Sequence, residues 1–188
     1  MHFASTQYWI FFLVVLSVVW TLPKYQRRWM RNIILLLFSY LFYGWVSTDA
    51  LILLIFSTTM NFIAGEFIVS SQPSQRRQWM WLGIGFNIGL LGVFKYLDFF
   101  RQSIENATFA LGLHIHWPVI ELLLPVGISF YTFQAISYIV DLYKGHGVRA
   151  NTLIDFALFQ AFFPQILIGP ICRSVDLLPQ IHGEAPSH

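Results

Sequence analysis

Six stretches of this chain are apolar and nearly free of charge, with short polar segments between most of them. They run from Tyr8 to Leu22, Ile33 to Val46, Ala50 to Val69, Trp79 to Leu97, Val119 to Val140 and Leu153 to Ile171. A membrane-spanning helix needs about 20 apolar residues to cross about 30 Å of hydrocarbon. Ala50–Val69 and Trp79–Leu97 meet that length without interruption, whereas Ile33–Val46 is short. Val119–Val140 is broken by Pro125 and Gly127, and Leu153–Ile171 by Pro164, Gly169 and Pro170. Each proline removes a backbone donor, and groups freed at membrane depth must find protein or water partners. The pattern predicts an all-α polytopic transmembrane helix bundle of about six hydrophobic segments, some broken or re-entrant.

The first run has the length of a signal-peptide core. Only His2 precedes it as a cation, no small-residue cleavage site follows, and Pro23 with a basic cluster does. It is read as a retained first span. The segment Asp98–Pro118 is mixed, an amphipathic interfacial helix or a short extended piece. Within it Leu111–Trp117 alternates, which suits an extended segment better. Gln180–His188 is polar and reads as a disordered tail. The expected organisation is therefore one membrane domain over residues 1–179 and a tail over 180–188.

Composition agrees with a lipid environment. Hydrophobic residues make up 56% of the 188 positions and charged residues only 11%, against about 25% charged in soluble domains. The mean hydropathy is +0.61. The formal charge of +2 gives no reason to expect a nucleic-acid partner. The lipid bilayer is the partner that the composition itself implies. The single cysteine, Cys172, excludes an intrachain disulfide and sits in an apolar run as a small core residue.

The position of the charges says more than their sum. Lys24, Arg27, Arg28 and Arg31 lie between the first two runs, Arg76 and Arg77 between the third and fourth, Lys144 and Arg149 between the fifth and sixth. The alternate connections are poor in cations: Ser47–Asp49 has none, and Asp98–Pro118 has only Arg101. Cytoplasmic loops carry the Lys/Arg excess. Residues 24–31, 70–78 and 141–152 are accordingly expected in the cytoplasm, and the N-terminus outside.

Motifs of soluble enzymes are missing. There is no phosphate-binding glycine loop, no paired-cysteine metal site and no HExxH. His114-x-His116 is the one close histidine pair, and no third ligand stands near it, so no metal site is expected. Glu66, Lys95 and Asp98 lie near span ends, and Glu121 suits a helix start.

Two stretches carry more information. In Leu124–Gly145, Tyr131, Gln134, Tyr138 and Asp141 recur at helical spacing on one face, with Ser137 beside them. In lipid a polar stripe faces the bundle interior or a water-filled cavity. It is either the wall of a substrate tunnel or interhelical hydrogen-bond glue worth about 1 kcal/mol per bond. In Phe162–Arg173, Pro164, Gly169 and Pro170 break an apolar run that Arg173 closes. This is either a broken helix lining a cavity, with Arg173 near a polar or anionic group, or a helix end with a snorkelling arginine.

On these residues the sequence resembles the membrane-bound O-acyltransferase superfamily, and within it the bacterial alginate O-acetylase type. Ser39-Tyr40-Leu41-Phe42-Tyr43-Gly44-Trp45, Phe94-Lys95-Tyr96-Leu97-Asp98-Phe99 and Asn151–Phe156 support the likeness, which reaches to about Leu178. The resemblance implies polytopic enzymes with helices around a tunnel. A cytoplasmic acyl donor, acetyl-CoA, would supply acetyl groups for hydroxyls of an exported polysaccharide, and a periplasmic partner protein would complete the transfer. It places the tunnel wall at Tyr131, Gln134, Tyr138, Asp141, Pro164, Gly169, Pro170 and Arg173. The family's reactive histidine stands on a later helix in an Arg/Trp-rich context. None of His2, His114, His116, His146, His182 or His188 has that context. The chain therefore reads as an N-terminal portion without a catalytic residue of its own, inactive alone. Readings from other classes are a transporter or flippase-like protein and a non-catalytic scaffold. Within the acyltransferase class, peptidoglycan, cellulose or teichoic acid are alternative acceptors to alginate.

Overall fold

In a computed structural model, residues 6–21, 27–110, 127–168 and 172–183 are described. Every regular element among them is a helix: α1 (Thr6–Thr21), α2 (Arg27–Val46), α3 (Thr48–Ser70), α4 (Pro73–Ala110), α5 (Ile128–Lys144), α6 (Leu153–Ala161), α7 (Phe163–Ile168) and α8 (Ser174–His182). The all-α expectation stands. The expectation of about six spans does not carry over to the described residues. Two helices there are long and apolar enough to cross a membrane, Arg28–Val46 and Thr48–Ser70. A third counts if Pro73–Tyr96 and Phe99–Phe109, bent by 56°, form one span. The 16 residues of α1 rise about 24 Å, short of about 30 Å of hydrocarbon.

Several boundaries move for identifiable reasons. α2 begins at Arg27 rather than Ile33, so Arg28 and Arg31 are helical and not in a loop. Their guanidinium groups reach carbonyls near the end of α8, which gives cations a place on an otherwise apolar helix. α2 and α3 are separated only by Ser47, whose side chain caps α3 by accepting from Ala50 N–H. Asp49 adds a favourable charge in that first turn. α4 continues past Leu97 to Ala110, so the first part of the mixed segment Asp98–Pro118 is helical. Leu111–Trp117, with His114 and His116, lies outside the described residues, as do Glu121, Pro125, Gly169 and Pro170.

α5 starts immediately after Gly127, whose φ of +81° only glycine adopts readily, and runs beyond Val140 to Lys144. The expected break in the last run is present: α6 ends at Ala161, Phe162 takes a non-helical conformation, and α7 begins at Phe163. The expected tail needs correction. α8 extends to His182, and Ile181 and His182 are buried, so residues 180–182 belong to the folded part.

The centre of the bundle is α5 and α6. α5 packs on α3 and α4, while α6 packs on α2, α3 and α8. Small residues set the closest approaches, as is common between helices in lipid. A Cβ on Gly83 would stand 2.6 Å from Ile139 Cδ1, and one on Gly65 would stand 2.8 Å from Tyr138 Cε1. α7 meets α1 and α2 through rings: Phe163 lies 5.2 Å from Phe11 on α1 and 5.9 Å from Phe42 on α2 between ring centroids.

Candidate functional site

All four residues of the α5 polar stripe are buried. Helical spacing alone put Tyr131, Gln134, Tyr138 and Asp141 on one face, and that face points into the bundle. Each meets a different neighbour. Gln134 donates its side-chain amide to the Phe159 carbonyl on α6 at 3.1 Å. Gln160 on α6 returns the contact, donating to the Tyr131 carbonyl at 3.4 Å. The Tyr138 hydroxyl accepts from the Ala150 N–H at 3.2 Å, fixing the connection between α5 and α6. Phe156 covers the Tyr138 ring with centroids 4.6 Å apart.

Asp141 brings the two informative stretches together. Arg173 donates to it from Nε at 3.2 Å and from Nη2 at 2.7 Å. The Asp141 side chain is only 6% exposed and that of Arg173 57%. The carboxylate therefore depends on the arginine, which keeps one side in water. The Asp141 hydrogen bond, and then its charge, raise the Arg173 guanidinium above its ordinary pKa. Of the other predicted residues of that stretch, Pro164 sits at the second position of α7, where no intrahelical donor is lost. Neighbouring Cys172 has its thiol pushed up, first by burial and then by Asp176, so it is held protonated.

The stripe ends at a polar end of the bundle. Arg76 on α4 donates to the Leu142 carbonyl near the end of α5 at 3.3 Å. Arg149 forms a two-pronged ion pair with Glu66 on α3. Asn32 on α2 donates to Asp155 on α6 at 2.9 Å, and His182 accepts from the Asn151 N–H at 3.4 Å. A cleft of about 210 Å³ opens there between α2, α6 and α8, lined mainly by Leu35, Leu158, Phe162 and Leu177, with Arg31 and Asn32 beside them. Arg28 and Arg31, Arg76, and Arg149, one described part of each basic segment read from the sequence, thus lie at one end. Among the described residues no group of three His, Cys, Asp or Glu side chains could hold a metal ion.

Residue-by-residue reading missed Gln160, Tyr43 and Thr132, all buried beside the stripe. Gln160 carried a signal, a lone amide inside the apolar helix Leu153–Ala161. Tyr43 lay within a quoted motif without being assigned a place.

Comparison with known proteins identifies its relatives. The chain is 39% identical over 97% of its length to the probable alginate O-acetylase AlgI of Pseudomonas syringae pv. tomato, covering 35% of that protein. It is 37% identical over 97% of its length to the probable alginate O-acetylase AlgI of Pseudomonas aeruginosa, again covering 35%.

Over nearly its whole length the chain is homologous to proteins named alginate O-acetylase, which are membrane-bound O-acyltransferases. A peptidoglycan O-acetyltransferase of Helicobacter pylori is also similar, 32% identical over 84% of this chain and covering 33% of that protein. The chain thus spans about a third of the length of the O-acyltransferases that it matches. No family model and no solved structure matches it. Apolar helices and these relatives make it a membrane protein. The full-length enzymes of the family are named O-acetyltransferases.

Proposed function

We propose that this chain is the N-terminal third of an O-acetyltransferase that passes acetyl groups from cytoplasmic acetyl-CoA towards hydroxyls of an exported polysaccharide, with alginate the leading acceptor. The observation that carries this reading is likeness over nearly the whole chain to proteins named alginate O-acetylase. In this reading the α5 stripe, α7 and Arg173 form part of the wall along which the acyl group travels. Asp141 holds Arg173, and the α5–α6 amides hold the two central helices in register. The histidine that would deprotonate or polarise the acceptor hydroxyl lies in the rest of the enzyme, as does the surface for a periplasmic partner protein. The polar end faces the cytoplasm of a bacterial inner membrane, and α1 begins on the periplasmic side. A peptidoglycan acceptor is the second reading, favoured by the Helicobacter pylori relative.

The test is transfer of labelled acetyl from acetyl-CoA in membrane vesicles. The 188-residue chain alone should give no turnover. The reading frame extended beyond codon 188, carrying an Arg/Trp-flanked histidine, should give turnover into alginate. Turnover by the short chain, abolished by His146→Ala or His182→Ala, would overturn the reading. For orientation, a cysteine at His146 in a Cys172→Ser background should react with an impermeant thiol reagent from the cytoplasmic side alone. Reaction from the periplasmic side refutes the orientation and leaves the enzymatic reading standing.

A further inference from the structure

Four polar atoms on three helices are buried close to the α5–α6 contact, and each lacks a hydrogen-bond partner among the described residues. They are the Tyr43 hydroxyl on α2, the Tyr131 hydroxyl and Gln134 Oε1 on α5, and Gln160 Oε1 on α6. Tyr131, Gln134 and Gln160 are fully buried, and Tyr43 is nearly so. Tyr43 and Tyr131 share a core cluster with Ala161. Gln160, next to Ala161, bonds the Tyr131 carbonyl, and Gln134 bonds the carbonyl one residue before Gln160.

Other buried polar side chains of the bundle find partners. Thr58 returns its hydroxyl to the Leu54 carbonyl one turn back, and Asn61 and Asn87 bond each other. Thr132 and Ser174 also have buried hydroxyls without a partner among the described residues, but nothing joins them to this set. A buried donor or acceptor left unmade costs more than an average hydrogen bond gains, and native cores hold few of them. Four in one neighbourhood mark a place where a ligand supplies the missing partners. The set also defines the ligand. Two phenols donate, two amide oxygens accept, and no formal charge is among them. Asp141, the charged residue of the same face, is ten residues along α5 from Tyr131, about 15 Å away by helical rise.

We propose that this core is a binding site for a small neutral group that both accepts and donates hydrogen bonds. Water has that chemistry, and so does a hydroxyl or amide of an acyl-transfer substrate. The second source rests on the function proposed above; the first does not.

Hydroxyl-radical labelling by radiolysis of water, carried out on the chain in membranes, reads the site directly. Tyr43 and Tyr131 should label several-fold faster than Tyr138, which is equally buried but has its hydroxyl bonded by the Ala150 N–H. Protection on adding acetyl-CoA assigns the site to substrate, and unchanged labelling assigns it to water. Labelling of Tyr43 and Tyr131 no faster than Tyr138 overturns the proposal. A second measurement uses Tyr131→Phe. A liganded hydroxyl predicts that its removal lowers Tm, by about 2–4 °C for a loss near that of one hydrogen bond. A dry, unpartnered hydroxyl predicts an unchanged or raised Tm, which also overturns the proposal.

Discussion

Gly83→Ala tests the contact that seats α4 on α5. The added Cβ would lie 2.6 Å from Ile139 Cδ1, with Ala64 Cβ and Ile139 Cγ1 at ordinary distances of 3.5 and 3.6 Å. Only one atom is in the way, but Ile139 is fully buried and has little room to turn. Overpacking of this kind costs about 1–3 kcal/mol. Glycine to alanine inside a helix returns about 0.8–1 kcal/mol of propensity. The single variant should therefore be destabilised by about 0–2 kcal/mol after both effects. Gly85→Ala and Gly89→Ala on the same helix meet nothing within 4 Å, so they should gain most of the propensity term. Ile139→Val removes the obstructing Cδ1 and alone costs about 0.5–1.5 kcal/mol. Combined with Gly83→Ala it should cost less than the sum, because the methyl that clashed is gone. The assay is thermal or denaturant unfolding of all variants in one detergent. If Gly83→Ala is as stable as Gly85→Ala, or the cycle is additive, the α4–α5 approach at Gly83 is wrong.

Three further perturbations are read by the same unfolding assay. Asn61 on α3 and Asn87 on α4 exchange amide hydrogen bonds in the core; Asn61→Leu strands the Asn87 amide and should cost about 1–3 kcal/mol, while adding Asn87→Leu should recover much of it. Tyr138→Phe leaves the fully buried Ala150 N–H without its acceptor and should cost about 1–3 kcal/mol; equal stability would show that this backbone bond is not made. The Glu66–Arg149 pair has side chains 32% and 50% exposed, so Arg149→Ala should change stability by less than about 1 kcal/mol, an effect that shrinks in high salt.

The parts of this bundle that were legible in the sequence are those governed by local repetition. The stripe from Tyr131 to Asp141 follows from the helical period, and the break before Pro164 from the proline and glycine content of its run. Neither needed any distant residue. The partner of Asp141 is 32 positions away, and no spacing rule links them; only the fold brings Arg173 back to the end of α5. Gln160 was passed over because one amide in an apolar nonamer makes no periodic signal. The start of α2 was misplaced for an opposite reason. Arg28 and Arg31 look like loop residues by hydropathy, yet they are helical because α8 offers them carbonyls. Among the described residues, the apolar run from Leu153 folds as two short helices, α6 and α7, as its proline and glycine content led one to expect.

Those arginines carry a physical argument that charge counting leaves out. A helix C-terminus presents unpaired carbonyls and about half a negative charge. α5 and α8 both end at the polar end of the bundle, and each is met by an arginine from another helix: Arg76 reaches Leu142 and Tyr143, while Arg28 and Arg31 reach residues 180–183. Arg31 spans the Gln180 and Ile181 carbonyls with one nitrogen and Asn32 with two. A lysine would give the same count of positive charge but not this planar fork of donors. The residues that argue for an orientation in the membrane are therefore also the ones that close the helix ends on one side. Packing and the charge pattern that argues for an orientation rest here on the same side chains, and the two roles separate only through the shape of the guanidinium group.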